Sequence, residues 1–347
     1  MEYFLPPIFT QDEKNDKKFM TQAIERNSFN LLFASARLRD DRDLVTLAVT
    51  KDGYTLKFAS ERLQNDRDIC LRACRNSGAA YVSVSPRLRN DADILRSALD
   101  TYSLALYYAP PPLCDDESIV LKAVEKAGMA LAYASTRLQN CPKIVMCALK
   151  NIPYSFFYAD AELKRNKEFV LSCLTITARI YLYIHPALKC DDIIIRKVIE
   201  HDASNLIHAP KEVLENEKYL SLIIPKYPFI YFYLSVANRQ KESIVLHVLA
   251  HHLGLFTSIP ICLRDNKRFI FDLVKKYPNV YQHLSPTLKY NSEFIRELYE
   301  TNRLVLRYLP YPYRENLIAL DNCKMLYDHL AIFDSIDIYR YVQSFLY

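Results

Sequence analysis

Four glycines in 347 residues leave little material for the backbone loops that cradle phosphates. The chain has no P-loop, no Gly-x-Gly-x-x-Gly, no Gly-x-Ser-x-Gly and no His-Glu-x-x-His, so the common nucleotide-binding, serine-hydrolase and zinc-peptidase signatures are absent. Long apolar runs are missing too: nothing approaches the roughly 18 residues that a membrane-spanning helix needs. The opening Met1-Glu-Tyr-Phe-Leu-Pro-Pro7 lacks the basic and apolar stretches of a secretory signal. Neither charge sign dominates. Forty-five basic and 40 acidic side chains are interleaved and leave a net +5, the pattern of a solvated surface and not of a nucleic-acid tail. Nine cysteines show no framework spacing. Cys70, Cys74, Cys173 and Cys323 fall at apolar helix positions and read as reduced core thiols of a cytosolic protein.

What the chain does have is a beat of 25 residues. The phrase Leu-x-x-Asp/Asn stands at Leu38–Asp41, Leu63–Asp66, Leu88–Asp91 and Leu113–Asp116, and variants follow from Leu138, Leu163 and Leu188 at the same step. After Leu188 the phrase is read with a one-residue insertion at Leu214, a degenerate copy near Ala237, and a return at Leu263 and Leu288, giving spacings of 26, 23 and 26. A period of this size denotes a stack of supersecondary units, not a globular domain around a pocket.

The beat is helical. Asp66 suits an N-cap, Asp68 lies in the first turn, and Ile69, Cys70, Ala73 and Cys74 draw one apolar stripe. Leu44, Val45, Ala48 and Val49 repeat it, which predicts a long helix of about 11 or 12 residues. Gly53, Gly78 and Gly128 share the position just past the stripe, where a left-handed glycine would stop the helix; Pro153 and Pro278 fill the same slot. A shorter second helix should follow, with an N-capped turn at Ser85-Pro86, His185-Pro186 or Ser285-Pro286 returning to the next anchor leucine. Leucine-rich repeats have a similar period but need a Leu-x-Leu strand that is absent here. The expectation is an all-α solenoid of about twelve repeats forming a superhelical arc. Its divisions would be an N-terminal cap at 1–12, a stack at 13–316 that is irregular at 204–262, and C-terminal capping helices at 317–347.

The phrase Gly53-Tyr-Thr-Leu56-Lys-Phe58-Ala59-Ser60-Glu-Arg-Leu63-Gln-Asn65-Asp66-Arg-Asp68-Ile69, recurring from Gly128 to Asn140, resembles a family of short tandem helical repeats labelled a domain of unknown function. That family occurs in Legionella-type secreted effectors, protists and large viruses. The resemblance covers roughly residues 13–316 and is weaker after Leu188. It implies a solenoid and an effector role, and carries no catalytic residues.

Three constellations bear on function. An aromatic column runs through Phe33, Phe58, Tyr108, Tyr133, Tyr158, Tyr183, Tyr233 and Tyr308, with His208 and His283 in two more places. One ring per repeat suits a reader of single-stranded RNA, but the favoured expectation is packing between helix layers with the phenols on loop carbonyls. A basic column comprises Arg37, Arg39, Arg62, Arg87, Arg89 and Arg137, continuing through Lys164, Lys189, Arg264, Lys289 and Arg314. The first six are the candidate partner-binding residues, although capping acids such as Asp41 and Asp66 lie close enough to weaken their field. His247, His251 and His252 cluster within five residues, but no Glu-x-x-His or cysteine pair completes a metal site. The expected function is therefore a non-catalytic protein–protein interaction scaffold in the cytosol (of a host cell, if secreted), with a protein partner and no cofactor, metal or small-molecule substrate. Nucleic-acid or polyanion binding along the basic ridge is the alternative, and an enzyme site within 204–262 a more remote one.

Overall fold

The computed structural model describes residues 9–330, with side chains through Asn322. Among the described residues there is no strand. The chain divides into two compact units, one ending at His208 and the next beginning at Ala209.

In the first unit, the repeat after Asp41 shows the pattern. Asp41 caps a ten-residue α-helix, Arg42–Lys51, its carboxylate accepting from the N–H groups of Asp43 (3.1 Å) and Leu44 (3.0 Å). Leu44, Val45, Ala48 and Val49 are buried, as the stripe predicts. Asp52 ends this helix in extended conformation and caps the next, accepting from Tyr54 N–H at 2.9 Å. That next element is a 3-10 helix, Gly53–Phe58. Ser60 then caps a separate four-residue α-turn, Glu61–Gln64, which buries the anchor Leu63 completely. The second helix and the capped turn to the anchor leucine stand as expected, but the second helix is of 3-10 type, and the long helix is ten residues in most repeats instead of 11 or 12.

The glycine slot differs from expectation. Among the described residues no glycine has positive φ. Gly53 and Gly128 are glycines because a Cβ at either would collide with a backbone carbonyl of the following repeat, Ala73 and Ala148 respectively. The N–H of Gly53 reaches forward to Asn76 Oδ1 (2.8 Å), and Asn76 Nδ2 reaches back to Thr50 O (3.0 Å). Asn151 serves Gly128 at the same distance, and Thr101 Oγ1 serves Gly78 at 2.7 Å. Proline needs no such acceptor, which is why Pro153 and Pro278 start their 3-10 helices in this slot.

Further stitches join successive repeats. The cap residue donates its N–H to the anchor turn of the repeat before it: Ser60 to Arg39 O (2.9 Å), Ser135 to Cys114 O (2.9 Å), Asp160 to Gln139 O (3.0 Å). The first residue of a long helix pairs with the capping acid one repeat later. Lys17 meets Asp41 at 2.7 Å, Arg42 meets Asp66 at 3.2 Å, and Arg67 meets Asp91 at 2.5 Å. Burial alone would raise the Asp66 carboxyl, but the hydrogen bonds from Arg42 and the Ile69 N–H hold it below the usual carboxylate range.

The second unit repeats the pattern in long helices Glu217–Ile223, Glu242–His251, Lys267–Lys276 and Ser292–Thr301. Their capping slots are Asn216, Lys241, Asn266 and Asn291, still 25 residues apart. The insertion read after Leu188 is therefore a misassignment. The anchor positions there are Val213 and Asn238, buried to 1% and 4% exposure, so the leucine changed and the beat did not. The long helix before Pro225 is shortened, ending at Ile223. In the final repeat the anchor turn and long helix fuse into one helix, Tyr311–Leu330, inside which the 317–347 segment begins. Residues 1–8 of the expected N-terminal cap and 331–347 of the C-terminal one lie outside the described residues; Thr10 and Glu13 form a capping box on the helix Gln11–Asn15.

Candidate interaction surface

The 3-10 helix has three residues per turn, so its faces recur at i and i+3. In Gly53–Phe58 the first, third and fourth positions are buried, the second and fifth are exposed, and the sixth, which shares a face with the third, is half-buried. The expected aromatic column occupies the sixth position. Its rings are half-buried, as at Phe33, Phe58, Tyr108, Tyr133, Tyr158, Tyr183 and Tyr308, or exposed, as at Tyr233, His208 and His283. The expectation that these rings pack between layers with their phenols on loop carbonyls, drawn from the Ala or Leu that follows each ring, is corrected in part: most of the rings are only half-buried, and the carbonyl bonds belong to other rings. The fully buried rings stand two residues earlier, at Tyr81, Phe156, Tyr181, Tyr231, Phe256 and Tyr281. Their phenols reach a loop carbonyl eight residues on: Tyr81 donates to Arg89 O and Tyr181 to Lys189 O, both at 2.7 Å. Burial pushes the Tyr231 phenol up to about 12.

The outward positions of the first unit carry large apolar side chains. Tyr107 is 61% exposed, Phe157 48%, Leu32 48% and Tyr154 43%. The rings interlock across repeats. Tyr107 meets Tyr133 edge-on at 5.1 Å between centroids, and Tyr154 and Phe157 each meet Tyr183 at 5.7 Å.

The candidate basic residues lie on the anchor turns in two rows. In one row, Arg37 holds Asn15 O (2.7 Å), while Arg62 pairs with Asp40 and Arg137 with Asp115, each at 2.9 Å. Hydrogen bonds from Ser60 and Arg62 lower the Asp40 carboxyl, and Ser135 and Arg137 do the same for Asp115. Arg87 is exposed on the same row. The other row turns the opposite way, onto the 3-10 carbonyls. Arg89 donates to Val84 O (3.0 Å) and Val82 O (2.7 Å), and Lys164 to Phe157 O (2.6 Å). Arg39 is half-buried in this row. Burial pushes the Lys164 ammonium down. The six arginines expected in one ridge thus divide, with Arg37, Arg62, Arg87 and Arg137 in one row and Arg39 and Arg89 in the other.

In the second unit His247 and His251 meet edge-on at 5.2 Å, and His252 packs on Phe229 at 4.9 Å. Among the described residues no group of three or more His, Cys, Asp or Glu side chains is placed to hold a metal ion. Cys70, Cys74 and Cys173 are buried; the Cys323 side chain lies outside the described residues. No described helix is long and apolar enough to cross a membrane.

Capped helices recurring at one period, with each repeat bonded to the next, make each compact unit an α-solenoid of tandem helical repeats. The chain belongs to the family described as Domain of unknown function (DUF4116), whose sequence profile matches residues 16–64, 41–88, 66–114, 116–164 and 266–314, together more than half its length. Each match begins at the capping residue of a long helix and spans about two repeats. No curated protein and no solved structure matches the chain.

Proposed function

We propose that the chain is a non-catalytic scaffold that binds a protein partner along one repeating face, and that it acts as an effector in the cytosol of a host cell. The observation that carries the scaffold reading is the outward row of 3-10 side chains, where Tyr107, Tyr154 and Phe157 hold apolar surface in water without a core role. Large exposed apolar patches of this kind mark interaction surfaces. The effector part rests on where similar repeats occur.

The second reading is a polyanion binder using the arginine row. Exposed Arg87 and the 25-residue spacing of Arg37, Arg62 and Arg87 favour it. The aspartates on Arg62 and Arg137 work against it by cancelling local field. Proximity labelling in host-cell lysate, run beside a titration with single-stranded RNA at two salt concentrations, separates the readings. A discrete labelled protein with weak RNA binding supports the scaffold; tight RNA binding that falls steeply with salt overturns it.

A further inference from the structure

We infer that the outward 3-10 surface of the first compact unit docks an acidic amphipathic helix of a protein partner. This rests on the scaffold reading and specifies its partner. The eight 3-10 segments that follow the long helices between residues 28 and 208 (28–33, 53–58, 78–83, 103–108, 128–133, 153–158, 178–182 and 203–208) contain no Asp or Glu, and their only Lys or Arg residues are Lys57 and Arg179. More cations are added from outside. Arg89, Lys164 and Lys189 fold back onto the carbonyl ends of these helices. Lys164 Nζ sits 5.6 Å from the Phe157 ring centre, and Lys57 Nζ 4.0 Å from that of Tyr54. Asp52 and Asp202 lie at the opposite, N-terminal ends, occupied by backbone N–H groups. The surface is thus apolar with a cationic edge, and its complement is apolar with an anionic edge.

Geometry selects a helix over a nucleic-acid strand. Across repeats the rings close on one another edge-to-face, as at Tyr107–Tyr133, and within one repeat Tyr154 and Phe157 stack on each other at 5.7 Å, so these pairs leave no open slot for a base. Adjacent repeats of packed helices are about 8–10 Å apart. Two turns of an α-helix advance about 11 Å, so partner side chains at i and i+7 fall on successive repeats.

The test is fluorescence anisotropy on the full chain with three labelled probes. These are a synthetic three-heptad amphipathic helix with Leu on one face and Glu on the other, its twin with Lys for Glu, and oligouridine. The Glu peptide should bind at least about tenfold more tightly than the Lys twin. Combining Tyr107→Ser with Phe157→Ser should weaken it about tenfold or more, with the helical circular dichroism signal retained and the melt lowered only by the loss of surface ring contacts. Tyr107→Phe alone should retain binding. Equal affinity for the twins, no binding by either, tighter binding of oligouridine, or self-association that buries Tyr107 would each overturn the inference. The scaffold reading fails separately. A host protein whose capture is lost in Arg62→Ala/Arg137→Ala but kept in the Ser variants leaves that reading standing and removes this one.

Discussion

Single residues in this chain are chosen by contacts one repeat away. Gly53 is the clearest case: its backbone is ordinary, and what forbids a side chain is the Ala73 carbonyl of the next long helix. Gly53→Ala should cost about 1–3 kcal/mol, the usual result of forcing a carbon into a packed site. Gly254→Ala should stay within about 0.5 kcal/mol, because the nearest atom is His252 Cε1 at 3.0 Å, on an exposed side chain and not on backbone. Urea melts of the two variants check the contrast. The buried thiols give a pH signature. Burial lifts Cys70, Cys74 and Cys173 from 9.0 to about 12, so folding favours their protonated form. Their contribution is complete below the unfolded value of 9.0 and is lost as pH rises toward about 12. A Cys70→Ala/Cys74→Ala/Cys173→Ala chain should therefore lose stability less steeply across that window than the parent, which a series of denaturant melts would show. At neutral pH a thiol reagent should label exposed Cys190 and Cys262 well before these three.

At the level of elements, the long helix and the 3-10 helix are stabilised by different means. The long helix carries its own instructions, an acid at the cap and an i, i+1, i+4, i+5 stripe, and both were legible in the sequence. The 3-10 helix is six residues long, too short to declare its period, so its inner and outer faces were not legible. The rings at Tyr108 and Tyr133 read as inside from the alanine that follows each, and they are half-buried. The anchors Val213 and Asn238 were missed because matching leucines is a weaker guide than matching caps. The arginine column was legible, but Asp40 and Asp115, which decide its electrostatics, lie 22 residues before Arg62 and Arg137. The same distance hides the junction between elements. Asn76 ends one long helix yet holds the start of the preceding 3-10 helix. Asn76→Ala should cost about 1–3 kcal/mol, since the buried Gly53 N–H loses its acceptor. Asn76→Asp, which keeps an acceptor but loses the donor to Thr50, should melt between the two.

For the whole molecule, contacts of this kind make stability local. Each repeat is supported by its neighbours, and the chain separates into two compact units. Leu131→Asp places a charge where exposure is zero and should destabilise by several kcal/mol. Hydrogen exchange followed by mass spectrometry should show protection falling first around residues 117–165, with the long helices at 267–301 holding the parent's rates. Uniform loss through both units would contradict this. The forward-reaching ion pairs have a hereditary consequence. Lys17, Arg42 and Arg67 each grip the acid one period ahead, so removing or copying a 25-residue block among them joins a basic residue to the same kind of acid as before. An in-frame slip of one block's coding length during replication therefore yields a chain whose seam is already compatible. The gene can lengthen or shorten this part of the protein without inventing a new junction, and selection is left to act on the outward side chains that each copy brings.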